Sequence, residues 1–290
     1  MRNNEERTGA KFKGAEAPVP QVNTPPPPSE PSNNLLQFVA PTDFVDLPSG
    51  GKFYAEDHPL HNKECIEIRQ MTAKDEDILT SQTLIQKGVA VDRLLQNLLV
   101  DNVDIDSLLV GDKNAVIMAA RINGYGAQYD TKVQCPICTN YSEYSFDLNE
   151  NVKFQSVDEN YEDLGAKKTS SNTFMISLPA SKVEVEVKLL TSGDEKKLAR
   201  HVERIKKLKL PESTLTDQIK MFVTSANGET NPSVVSDFVD HMPAKDSRFL
   251  RDLYSKLIPN VDMKQSFTCF HCNSEMEMEV PFSADFFWPR

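Results

Sequence analysis

The apolar positions of this chain follow two periods, and the switch between them recurs at matching places in its two halves. In Glu67-Ile68-Arg69-Gln70-Met71 and again in Glu186-Val187-Lys188-Leu189-Leu190 they alternate as in a half-buried strand. Each run stops at a threonine, Thr72 or Thr191, where a helical period takes over. The acidic residues Asp75, Glu76, Asp194 and Glu195 then fall in the first turn, where free amides and the helix macrodipole favour them. Thr72 with Asp75 and Thr191 with Asp194 imitate a capping box, with Asp in place of Glu. These carboxylates read as structural caps, not as a catalytic pair.

Helical spacing continues beyond both caps. In the first half, Leu79, Thr83 and Leu84 predict a short helix, Val91, Leu94, Leu95, Leu98 and Leu99 a second, and Ala115 to Ile122 a third, with Asp112 as its cap after the break at Val110-Gly111. In the second, Leu198, Val202, Ile205 and Leu208 form a stripe that Pro211 ends. Ile219 to Val223 and Val234 to Val239 mark two short elements, and Asp246 is read as the cap of a helix carrying Phe249, Leu250, Leu253, Tyr254 and Leu257. Each half ends in a Cys-x-x-Cys step, Cys135-Pro136-Ile137-Cys138 and Cys269-Phe270-His271-Cys272.

Both cysteine steps are flanked by strand-like alternation, Thr131 to Gln134 with Tyr141 to Leu148, and Gln265 to Thr268 with Glu275 to Phe282. A two-residue gap lets one tight turn aim two sulfurs at a single ion. Two such turns supply Cys135, Cys138, Cys269 and Cys272, the full complement of a structural Zn2+. Two incomplete sites, disulfides, redox thiols or unconnected buried thiols are the alternatives. The N-terminal residues are charged and polar without the apolar run of a secretory leader, so a disulfide scaffold is not expected. A redox dithiol prefers a helix N-terminus, unlike these flanks. His271 reads as a bystander and Cys65 as a half-buried small residue.

The predicted fold class is α+β, with two related lobes, each holding a strand, capped helices and a zinc-knuckle hairpin, joined at one four-cysteine site. The expected division is a proline-rich arm over 1–37, a first lobe over 38–157, a polar linker over 158–172 and a second lobe over 173–290. In the arm, Pro25, Pro26, Pro27 and Pro28 favour polyproline geometry, either as a spacer or as a strap against a partner. At the other end, Phe286, Phe287 and Trp288 concentrate aromatic surface that either packs in cis or anchors another subunit.

Charge narrows the function classes. Among 290 residues, 43 acidic and 32 basic side chains give a formal net charge of -11. No basic, aromatic-interleaved patch stands out, so nucleic acid is not an expected partner, although a nucleic-acid-binding zinc ribbon remains an alternative. No stretch has the apolar length of a membrane helix. No histidine–carboxylate cluster suggests a catalytic metal, and no glycine loop forms a phosphate-binding signature.

The runs Phe44 to Tyr54, Glu67 to Thr80, Leu109 to Asn114 and Thr131 to Cys138 resemble the baseplate hub subunit or hub-assembly family of contractile-tailed phages of the T4 type, and the likeness extends over Phe44 to Arg290. That resemblance implies a non-enzymatic structural subunit of the baseplate hub region, assembled in the host cytoplasm and placed in the virion tail. It also implies contacts with other hub or wedge proteins, and self-association is possible within it. A transient hub-assembly chaperone absent from the virion is the alternative role.

Overall fold

The computed structural model describes residues 41–149, 153–155, 161–208, 214–281 and 284–287. The chain from Ala40 onward forms one compact unit. The calls on Pro25 to Pro28, on Pro211 and on Trp288 lie outside the described residues.

The first half opens with β1 (Thr42–Asp46) paired antiparallel to β2 (Cys65–Arg69), Thr42 opposite Arg69. Alternation sends Val45, Ile66 and Ile68 into the core, while Leu47, Phe53, Tyr54 and Leu60 of the connecting turns are buried as well. Three helices follow, α1 (Ala73–Thr80), α2 (Gln82–Gln86) and α3 (Ala90–Leu98). The i, i+4 positions Leu94, Leu95 and Leu98 of α3 are completely buried. Next come α4 (Val110–Tyr125) and the antiparallel pair β3 (Gln128–Gln134) and β4 (Tyr141–Asp147).

After β5 (Lys153–Gln155), the second half builds a four-stranded antiparallel sheet. Its order is β6 (Ala166–Lys168), β7 (Phe174–Ser177), β8 (Glu184–Val187) and β9 (Val223–Ala226). β6 lies inside the span whose polarity suggests a linker, and Ala166 is fully buried there. Between β8 and β9 run α5 (Ser192–Leu208) and α6 (Thr214–Phe222), and α7 (Pro232–His241) and α8 (Ala244–Leu257) come after. β10 (Asn260–Asp262) pairs with β5 of the other half, and β11 (Lys264–Thr268) pairs with β12 (Glu275–Glu279). Among the described residues, no helix is long and apolar enough to cross a membrane.

The threonine junctions do more than cap. Asp75 is fully buried and takes a bidentate pair from Arg69 at 2.7 and 2.8 Å. It also accepts from the Thr72 amide and hydroxyl and from Asn97. Burial alone raises its pKa, but these bonds, led by Arg69, outweigh it and hold the carboxyl well below the usual range. Asp194 repeats the device with Lys188 at 2.7 Å, and its own amide bonds the Thr191 hydroxyl. Each carboxylate therefore fastens a helix start to the strand before it.

Two expected caps are corrected. Asp112 and Asp246 are not N-cap residues, since α4 and α8 begin two residues earlier and their N-caps are Leu109 and Pro243. Both aspartates are the third helical residue, fully buried, and reach across to a distant loop. Asp112 accepts from the Ser49 amide at 3.0 Å and from the Ser49 and Tyr54 hydroxyls at 2.6 Å each. Asp246 accepts from the Ala180 and Ser181 amides at 2.7 and 2.8 Å. Val110-Gly111 is also not a break but the first turn of α4. A Cβ on Gly111 would lie 1.8 Å from the Pro259 carbonyl oxygen, so only glycine lets α4 approach the segment after α8 this closely.

Of the aromatic C-terminal stretch, Phe286 and Phe287 pack in cis, at 2% and 3% exposed, the first of the two alternatives open to them. Arg121, 1% exposed, donates to the carbonyls of Phe286, Gly126 and Gln128 at 2.6 to 2.9 Å. Its guanidinium also lies over the rings of Tyr125, Tyr129 and Phe286. Phe286 is thus held against α4 by a buried cation satisfied through backbone oxygens.

Candidate metal centre

Each cysteine step sits in the connection of its strand pair, β3–β4 or β11–β12, and the two turns share one backbone design. In the first, the Cys135 amide donates to the Asn140 carbonyl and the Thr139 amide to the Cys135 carbonyl. In the second, the Cys269 amide donates to Ser274 and the Asn273 amide to Cys269. Thr139 and Asn273, the residues just after the second cysteine of each turn, both adopt the left-handed region, with φ of 60° and 52°. That conformation is uncommon for a β-branched threonine, and here it keeps the turn closed behind the sulfurs.

The two turns meet. The four sulfurs lie within 4.8 Å of one another, with Cys135 Sγ to Cys272 Sγ at 3.8 Å and Cys138 Sγ to Cys269 Sγ at 3.7 Å. A tetrahedron with sulfur roughly 2.3 Å from its centre has edges of about 3.8 Å, so these separations suit a shared metal. They are far longer than the roughly 2.05 Å of a disulfide, and all five cysteines are free thiols. Behind the turns the strand pairs pack directly, with Tyr144 edge-on to Phe267 and the Tyr144 hydroxyl donating to the Ser266 carbonyl at 2.9 Å.

Local donors tune the sulfurs. The Cys272 thiol is pulled down to about 6 by the Ser274 hydroxyl and then the Ser274 amide. Cys269 is lowered by the Cys272 amide first and the His271 amide also, the latter 3.4 Å from its sulfur, while burial opposes both. At Cys138 the Asn140 amide favours the thiolate, yet burial and the three neighbouring sulfurs prevail and push it up to about 11. Four thiolates this close repel one another, and a divalent cation is the natural compensation. The donor set, its spacing and its amide bonds fit a closed four-sulfur metal site.

Other sequence-derived residues find plain positions. His271 is exposed in its turn, and Cys65 is half-buried in β2, outside the cluster. The turns also leave Ile137 and Phe270 exposed at 66% and 72%. Arg121 escaped the sequence reading because its partners are carbonyl oxygens, which leave no side-chain signature.

Comparison with protein families supplies the context. The model of the T4 bacteriophage base plate protein family matches residues 40–288, and the chain belongs to that family. No match is found among curated proteins or among solved structures. The protein is accordingly a non-enzymatic structural component of the phage tail baseplate, assembled in the host cytoplasm and incorporated into the virion tail.

Proposed function

We propose, from its place among the base plate proteins, that this chain is a hub-region subunit whose two related lobes are clamped by one structural Zn2+ held by Cys135, Cys138, Cys269 and Cys272. The observation that carries this reading is the reciprocal pairing of the sulfurs. Exchanging the two turns converts the Cys135–Cys272 pair into the Cys269–Cys138 pair, as a pseudo-twofold relation requires, and the two distances agree at 3.8 and 3.7 Å.

Constant spacing supports a duplicated frame. Arg69, Thr72 and Asp75 precede Lys188, Thr191 and Asp194 by 119 residues each. Asp112, Cys135 and Cys138 precede Asp246, Cys269 and Cys272 by 134 each, as do the fully buried core partners Val116 and Leu250. Within each block the side chains hold equivalent positions: Asp75 and Asp194 each pair with a cation six residues upstream, and Asp112 and Asp246 each accept from the backbone of a distant loop. The proposed lobes run as 38–157 and 173–290, with β6 of the span 158–172 joining the second lobe's sheet, and the partners are neighbouring hub or wedge proteins.

Zn2+ supplies folding energy here and no chemistry, because four protein sulfurs leave no open position for water or substrate. Its effect is to turn two hairpins into one rigid end on which protein contacts can be built. The test is metal analysis of the purified chain together with baseplate assembly by the cysteine variants. One zinc per chain, and loss of assembly on replacing any ligand by serine, is the expected result. Assembly at wild-type level by a metal-free quadruple variant would sink the proposal. Mass spectrometry of finished particles separates a resident subunit from a departing assembly factor, and residence is expected.

A further inference from the structure

The second half carries material that the duplicated frame does not need. Asp75 and Asp112 are 37 residues apart, whereas their counterparts Asp194 and Asp246 are 52 apart. The extra fifteen residues fall around α5 and α6, and α5 has 17 residues where α1 has 8. Beyond its first turn, α5 buries nothing completely: its buried residues are Ser192 and Asp194. Its apolar stripe is half-covered at Leu198, Val202 and Ile205 and open at Leu208, which is 62% exposed, as is Leu215 at the start of α6 at 55%.

This helix is also the basic feature of an acidic chain. Lys196, Lys197, Arg200, Arg204, Lys206 and Lys207 stand against Asp194, Glu195 and Glu203 on α5, in a chain of net charge -11. Lys196 is engaged with Asp92 and Asp106, which ties the start of the helix to the body, and Lys197 pairs with Asp194 within the helix itself. Arg200 and Arg204 pair with no acid among the described residues. They border a cleft of about 510 Å3 between α5 and α6, lined also by the apolar side chains of Leu198 and Met221, by Lys220, which pairs with Asp240, and by one acid, Asp217, which faces His201 at 3.7 Å and leaves the two arginines as the open charges.

We infer that this cleft is a docking site for an acidic, leucine-bearing segment of another baseplate protein. Carboxylates of the segment pair with Arg200 and Arg204, which offer planar forks suited to them, and its leucines cover the open stripe of α5. A nucleic acid fits less well, because no phenylalanine, tyrosine or tryptophan lines the cleft for base stacking. The assignment rests on the baseplate reading for the source of the segment, but not on the metal.

Fluorescence anisotropy with the full-length chain tests it at low and moderate salt. The probes are a labelled acidic peptide of glutamate and leucine, the same peptide with glutamine for glutamate, and a labelled oligothymidylate. The acidic peptide is expected to bind about tenfold or more tightly than its glutamine counterpart, to weaken with salt, and to lose about tenfold in affinity to an R200E/R204E variant. An R200Q/R204Q variant, which adds no repulsion within α5, is expected to lose a smaller factor in the same direction, with the wild-type melting temperature retained. Affinity unchanged in both variants, no binding of the acidic peptide, or tighter binding of the oligothymidylate would overturn the assignment. Zinc content measured on the same samples reports separately on the clamp, so the two proposals fail independently.

Discussion

The stretches 65–147 and 184–279 spend the same residue types on the same three tasks and differ in what lies between. Both lock a strand to a helix with a buried aspartate, both hold a distant loop with an aspartate at the third position of a helix, and both end in a cysteine turn. In the first stretch the longest helix before α4 is core, since Leu94, Leu95 and Leu98 of α3 are completely buried. In the second, α5 is attached by its first two turns and projects an amphipathic face. The shared positions are therefore frame. The added residues are under no obligation to the core and are free to serve contacts.

The most severe break of the comparison is at the cysteines. Cys135→Ser is expected to abolish stoichiometric zinc and to lower the melting temperature on the order of 10 °C, and Cys269→Ser at the equivalent position should match it. Metal analysis and a thermal melt check both. A large difference between the two would mean that the turns do not share one ion.

The buried aspartates sharpen the comparison because their burdens differ. Asp112→Ala strands one amide and two hydroxyls in a site that includes the buried Tyr54, with an expected cost of about 3–4 kcal/mol. Asp246→Ala strands two backbone amides of a turn and should cost about 2 kcal/mol. Urea unfolding measures both, and the order matters more than the values.

The junction carboxylates give a pH test. Hydrogen bonds from Arg69 and Lys188 lower the pKa of Asp75 and Asp194 against the opposing effect of burial. A carboxylate depressed in the folded state contributes stability that is complete above its unfolded value of about 3.9 and shrinks as pH falls toward the folded value. Asp75→Asn should thus cost about 2 kcal/mol at neutral pH, and the gap to wild type should narrow below about pH 4. Asp194→Asn should show the same sign with about half the size, because Lys188 is 37% exposed and better solvated. Stability measured between neutral pH and pH 3 decides. At the small end, Lys197→Ala removes a pair whose cation is 70% exposed, and equilibrium unfolding should register less than about 0.5 kcal/mol.

What was readable in the sequence was short in range. Cys-x-x-Cys spacing, the threonine–aspartate steps and the periods of α3 and α8 are written within a few residues, and each is found in place. Asp112 and Asp246 do lie near helix starts, but their task is not legible locally, because their partners are groups 58 to 66 residues away. Arg121 was invisible for the same reason, since backbone carbonyls have no residue type. The strand β6 was hidden in a polar stretch where Ala166 alone carries the burial. The basic face of α5 was lost in whole-chain charge, and only the folded helix separates its cations from the acidic remainder.

In the proposed clamp, two turns 134 residues apart grip one ion with four sulfurs. X-ray absorption at the zinc edge on the purified full-length chain tests it most directly. One zinc per chain and a single shell of four sulfurs at roughly 2.3 Å are expected. A shell containing nitrogen or oxygen, or a chain whose four thiols are instead paired as disulfides without metal, would contradict it.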